Sequence, residues 1–197
     1  MGSSGIPLEE IKEVMARWTE PHRHYHNMRH LLSMVTDLET MAGLYGFSRD
    51  ERTECWLTAV YHDAVYEIGK PSGWNEEESA ALARGNRSIG RDLALRVSDN
   101  ILLTINHLNP KTMVQACVLD ADLAGLGRNY WENGANIRAE YPDATEEQWF
   151  HGRVAFLNKM LDRPTLYYTS WGRKYEAPAR ASMEADIATC QAALGLL

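Results

Sequence analysis

Cysteine is scarce in this chain, with Cys55, Cys117 and Cys190 the only three among 197 residues. An odd, widely spaced set without a CxxC pair excludes a disulfide framework and a thiolate zinc site. It fits reduced thiols, so a cytoplasmic protein is expected. Long apolar runs are also absent, and none approaches the ~20 residues that a membrane-spanning helix needs. No signal peptide and no membrane association are expected. An excess of basic residues is missing too: Lys and Arg number 20 against 27 Asp and Glu, a formal net charge of -7. Passive binding to a nucleic-acid polymer or an anionic membrane depends on the opposite balance, so neither partner is expected. An anionic small molecule stays admissible, because a bound cation can neutralise it locally.

The chain contains no internal repeat, low-complexity tract or Pro/Gly/Ser-rich linker. Residues 1–5 read as a flexible leader or tag remnant, and residues 6–197 as one domain. A hydrophobic fraction of 45% is enough for a sizeable core. No segment sustains period-two alternation, whereas helical periodicity recurs throughout, so an all-α helical bundle is expected. A first helix starts at Pro7 and turns Ile11, Val14, Met15 and Trp18 inward. A second runs from about Tyr25 to Tyr45. A third starts at the capping box Ser48–Glu51 and runs to about Tyr66. Asn75 caps a fourth, after a loop over 69–73. Later helices are expected over 90–107, 111–126, 128–141, 145–161 and 176–194.

Against this helical background three groups of polar residues stand out. His22, His24, His26 and His30 crowd one short stretch, and the four-residue step from His26 to His30 puts two imidazoles on one helix face. His62-Asp63 lies within the apolar run that follows Trp56, where ionisable groups need a partner or a metal. Asp120 and Asp122 interrupt another apolar run. Two residues apart on a helix, they point to opposite sides, so at most one faces a given site and the other is a solvated or capping carboxylate. Imidazoles and carboxylates from separate helices are the donors from which helical folds build interior metal sites.

A first His, then His-Asp, then a distant Asp resembles the signature of the HD superfamily of metal-dependent phosphohydrolases. Here it reads His30, His62-Asp63 and Asp122. The segments 23–30, 61–66, 75–80, 120–123 and 138–141 look like a bacterial subgroup of predicted HD phosphohydrolases. The likeness spans about residues 18 to 185. Tyr25-His26-Asn27-x-x-His30 is also similar to a motif of cyclic-nucleotide phosphodiesterases, although their long substrate-binding region has no counterpart here.

The resemblance implies an HD-type bundle holding one or two divalent ions (Mn, Fe, Ni, Co, Zn or Mg) on His30, His62, Asp63 and Asp122. It makes His26 the proton donor rather than a ligand, and selects Asp122 over Asp120. The implied reaction is hydrolysis of a nucleotide or other small phosphoester by a metal-activated water. Asp63 can bridge a second ion, with His107 and Glu76 as its further ligands or as substrate contacts. The other reading of His107 is a helix-terminal residue bonding the last carbonyls. Arg23 and Arg138 are candidate phosphate grips and Asn75 and Ser79 candidate substrate contacts, while Trp74 is the aromatic to test against a flat group. Two alternatives share the ligand set: an HD-type diiron oxygenase, and a non-catalytic metal- and ligand-binding module. A homo-oligomer is compatible with all three.

Overall fold

The computed structural model describes residues 8–196; the leader over 1–5 and the expected helix start at Pro7 lie outside them. Among the described residues there are nine α-helices and no strand. In chain order they are α1 (Leu8–Arg17), α2 (Met28–Leu44), α3 (Arg49–Tyr61), α4 (Trp74–Gly85), α5 (Arg91–Thr104), α6 (Met113–Leu123), α7 (Tyr130–Ala139), α8 (Glu146–Leu161) and α9 (Glu176–Ala193). None is long and apolar enough to cross a membrane.

The helix starts are written locally. Asn27, Ser48, Thr112 and Thr145 each accept a backbone N–H from the first turn that follows them, and Ser48–Glu51 and Thr145–Gln148 form complete capping boxes. Several expected boundaries move, among them the ends of α5, at Thr104 rather than His107, and α6, at Leu123 rather than Leu126. The second helix begins at Met28 rather than Tyr25, because Asn27 is its cap and the His-rich stretch before it is a turn. The third helix stops at Tyr61 rather than Tyr66, so His62-Asp63 lies at its end and not inside it. The fourth is preceded by Gly73 in the left-handed region (φ 87). Asn75, expected as its cap, instead bonds both the N–H and the carbonyl of Glu67.

Two apolar clusters hold the bundle. The larger is built from α1 to α6: Leu31, Met34, Leu38 and Met41 of α2 pack against Leu57 and Val60 of α3 and Ile101 of α5. Each such side chain contributes about 1.5–3 kcal/mol when fully buried. The smaller joins Leu123 and Tyr130 to Leu157 and Met160 of α8 and Met183 of α9. Residues 121–124, at the end of α6, supply both clusters, and Asp122 sits at that seam.

Candidate metal centre

Four side chains from three helices meet at this seam. His30 projects from the first turn of α2, His62 caps α3, Asp63 follows it, and Asp122 lies in the last turn of α6. His30 Nε2 stands 3.2 Å from His62 Nε2 and 3.2 Å from Asp122 Oδ1. His62 Nε2 stands 3.7 Å from Asp122 Oδ1 and 3.0 Å from Asp63 Oδ2, which is 3.8 Å from His30 Nε2. Donors held at about 2.0–2.2 Å from one ion are separated by roughly 3–4 Å, which is this spacing. His30, His62 and Asp122 could hold a metal ion. Asp63, expected as a fourth ligand, is outside that group, though its Oδ2 lies within 3.8 Å of both imidazoles.

The surroundings prepare these atoms. His62 Nδ1 lies 2.8 Å from the Ala59 carbonyl, an acceptor only, so this nitrogen carries a proton, and Nε2 is the one that would offer a lone pair to a cation in the neutral ring. The Trp18 indole packs 5.3 Å from the His62 ring and donates to the Val60 carbonyl, closing the floor with an apolar wall. Burial opposes charge on His62, yet Asp63 and Asp122 beside it push its imidazole up to about 9. Burial would raise both carboxyls, but His62 brings Asp63 down, and His107 and His30 bring Asp122 down. Two buried carboxylates that draw protons onto neighbouring imidazoles form a site in which a cation competes with those protons.

The local chain path depends on Arg23. Its Nη1 donates to the carbonyls of His26 and Asp63, its Nη2 to that of Ala64, and its Nε to Glu20. The guanidinium is buried between Trp18 and Tyr66. It satisfies the carbonyls freed where α3 ends, and ties the turn carrying His26 to the turn carrying Asp63. The expectation that Arg23 grips phosphate is therefore corrected. Ser79 is corrected likewise: fully buried, it accepts the Val65 N–H and bonds the Val65 carbonyl. Arg138 donates to the carbonyls of Tyr141 and Ala144 and lies over Trp149, fixing the α7–α8 turn.

His26 precedes α2, so it does not share a helix face with His30, though the two rings are still 6.0 Å apart. Its Nδ1 is 2.7 Å from Glu140 Oε2, and its ring stacks on Tyr66 at 4.2 Å. Burial disfavours its charged form, but the bond to Glu140 and the field of Asp63 outweigh this and raise its pKa. Glu140 was not singled out in the sequence. Its Oε1 accepts the N–H groups of His24, Tyr25 and His26, and its Oε2 accepts the Tyr66 hydroxyl. The His26 imidazole first, then the backbone bonds from His26 and Tyr25, overcome its burial and hold its carboxyl at about 2. Its long-range partners, 74 to 116 residues earlier, distinguish it from other acids at a helix end.

His107 lies in the turn after α5, in the left-handed region (φ 51), and its Nε2 lies 2.8 Å from Asp122 Oδ2. Its ring therefore bonds a carboxylate and not the last carbonyls of its helix. Asp122, not Asp63, is the carboxylate shared with His107. Glu76 is half-buried on the neighbouring wall; burial above all raises its carboxyl, and it is not among the converging donors. Asp120 points away as the helix geometry requires. It is not solvated: buried, it accepts the N–H groups of Tyr168 and Thr169 and the Thr169 hydroxyl.

An open cavity of about 710 Å³ rises from this floor, lined by His26, Asp63, Glu76, His107 and Asp122 on one side. Asn75 also lines it, whereas Trp74 does not; the Trp74 ring carries the Lys70 ammonium at 4.6 Å. Nothing matches this chain in comparisons with known protein families, curated proteins and solved structures.

Proposed function

We propose that the chain is a divalent-metal-dependent phosphohydrolase of the HD type, acting on a nucleotide or other small phosphoester. The observation that carries this reading is the convergence of the His30 and His62 nitrogens with an Asp122 oxygen, 3.2 to 3.7 Å apart, with an Asp63 oxygen within 3.8 Å of both imidazoles, at the floor of an open cavity. In this reading His30, His62, Asp63 and Asp122 hold the ion. When bound, such an ion lowers the pKa of coordinated water and stabilises negative charge on a phosphoryl group.

The chain's own residues supply the rest. His26, oriented by Glu140 through Nδ1, keeps its other ring nitrogen for the leaving oxygen. The hydrogen bond to Glu140 and the field of Asp63 raise its pKa and so favour the protonated form, the state that a general acid requires. Trp18 excludes water from beneath the imidazoles.

Phosphate release from a panel of phosphoesters, measured on chain loaded with each divalent ion in turn, tests the proposal. Turnover that appears with metal and disappears with chelator is expected. A metal-loaded chain inert towards every ester would falsify it. The contact between His107 and the second oxygen of Asp122 favours keeping one rival, a diiron oxygenase, because that pair can receive a second ion. Two irons per chain with oxygen uptake and no phosphate release is the outcome that selects the rival.

A further inference from the structure

The cavity above the metal centre is electrically two-sided. Its four carboxylates, Asp63, Glu67, Glu76 and Asp122, all lie on the side of the metal centre and α4. Another wall is α8, which presents Trp149, Arg153, Phe156, Lys159 and Met160, followed just past its end by Arg163, and no acid. At 1.5 Å per residue the helical part of that stripe is roughly 17 Å long. A chain of net charge -7 has thus kept one cavity wall free of carboxylates.

Two of the cavity's four cations are already neutralised. Lys70 pairs with Glu67 at 3.2 Å, and Arg153 with Asp186 at 2.9 Å. Lys159 and Arg163 have no ion-pair partner among the described residues, and Nη1 of Arg163 is buried with no hydrogen-bond partner at all. Leaving a guanidinium donor unsatisfied is costly unless a ligand completes it. Arg163 lies just past the end of α8, on a segment that carries none of the converging donors of the metal centre.

Volume points the same way. A phosphoryl group on the metal would leave most of about 710 Å³ unfilled, and cavities of this size enclose ligands with an extended body. The space between the two walls is bordered by Leu123, Phe156 and Met160.

We propose that the substrate is a phosphoester with a second anionic group beyond a partly apolar body, and that Lys159 and Arg163 receive that second group. The inference rests on the phosphohydrolase reading for the first group only. Charge, and not a particular headgroup, is what these two side chains recognise; carboxylate and phosphate are equivalent in this respect.

Hexyl and butyl phosphate, each compared with its ω-carboxylated counterpart on manganese-loaded full chain, provide the test. The added carboxylate is expected to raise kcat/KM by about tenfold or more, through KM, for at least one chain length. Lys159→Gln and Arg163→Gln should each bring that ratio towards one. Both esters are measured on the same preparation, so the ratio does not depend on the folded fraction, and Lys159 is exposed enough for its variant to fold normally. A ratio near one in the native chain at both lengths overturns the proposal. So do variants that slow both esters alike, since these residues would then hold the reacting phosphoryl. If no ester is hydrolysed, calorimetric binding of the same pairs separates the claims. A preference for the carboxylated ester that is lost in the variants retains the anion site and removes hydrolysis; no preference removes both.

Discussion

Glu140 and the His30–His62–Asp63–Asp122 cluster are both buried and both built from carboxylate and imidazole, yet they are electrically opposite. Glu140 accepts five hydrogen bonds, from three backbone N–H groups, the His26 ring and the Tyr66 hydroxyl. Its charge is fully compensated by protein donors. In the cluster, imidazole nitrogens face one another and the carboxylate oxygens of Asp63 and Asp122 across 3.0 to 3.8 Å. A carboxylate surrounded by protein donors is a structural node, whereas acceptors gathered around a shared point leave room for a cation.

Substitutions on the two sides should therefore separate metal content from stability. The largest effect is expected for Asp122→Ala, which removes the oxygens facing both His30 and His107. Elemental analysis should find the metal lost and phosphoesterase activity at background. Retained metal in this variant would show that Asp122 is not needed for the ion.

His26→Ala comes next, because His26 touches both regions. It should keep its metal and lose about 10²–10⁴-fold in turnover on esters with poor leaving groups, while an activated aryl phosphate is nearly spared. His30→Ala should lose metal and activity together. If the two variants exchange these phenotypes, ligand and proton donor are assigned the wrong way round.

Glu140→Gln keeps the shape of the node and removes its charge. A loss of about 2–3 kcal/mol is expected in urea unfolding at neutral pH, with metal content unchanged. The pH dependence has a definite sign. The folded carboxyl titrates at about 2 against an ordinary 4.5, so below 4.5 the unfolded chain binds the extra proton. Stability supplied by Glu140 is present above 4.5 and declines as pH falls from there towards 2. The variant should show a flatter acid limb over that window; an unchanged limb would assign the acid sensitivity elsewhere.

The smallest effect is expected for Arg138→Ala. The side chain bonds two carbonyls of the α7–α8 turn and lies outside the cavity wall. Stability should fall by about 1 kcal/mol, with KM for a phosphoester unchanged. A raised KM would return Arg138 to substrate binding.

The sequence by itself determined the helices and the groups worth examining. Ser48, Thr112 and Thr145 announce helix starts because a cap acts over three residues. His62-Asp63 and the Asp120–Asp122 pair stand out because ionisable groups in apolar runs demand a partner, and His30 by its four-residue step from His26, while the family resemblance selects His30 and Asp122 as ligands. The opposite facing of Asp120 and Asp122 follows from helix geometry alone.

Only the tertiary structure decided how those groups are used. It ended α3 at Tyr61, where Arg23 takes up the carbonyls of Asp63 and Ala64 from forty residues away. It turned Arg23, Ser79 and Arg138 from candidate substrate contacts into supports of the backbone, and an unremarked Glu140 into the anchor of His26. It gave the second oxygen of Asp122 to His107 and one wall of the cavity to α8. Capping and periodicity act between near neighbours and are written in local order, whereas these hydrogen bonds join segments that become adjacent only when the apolar faces of the helices are buried together.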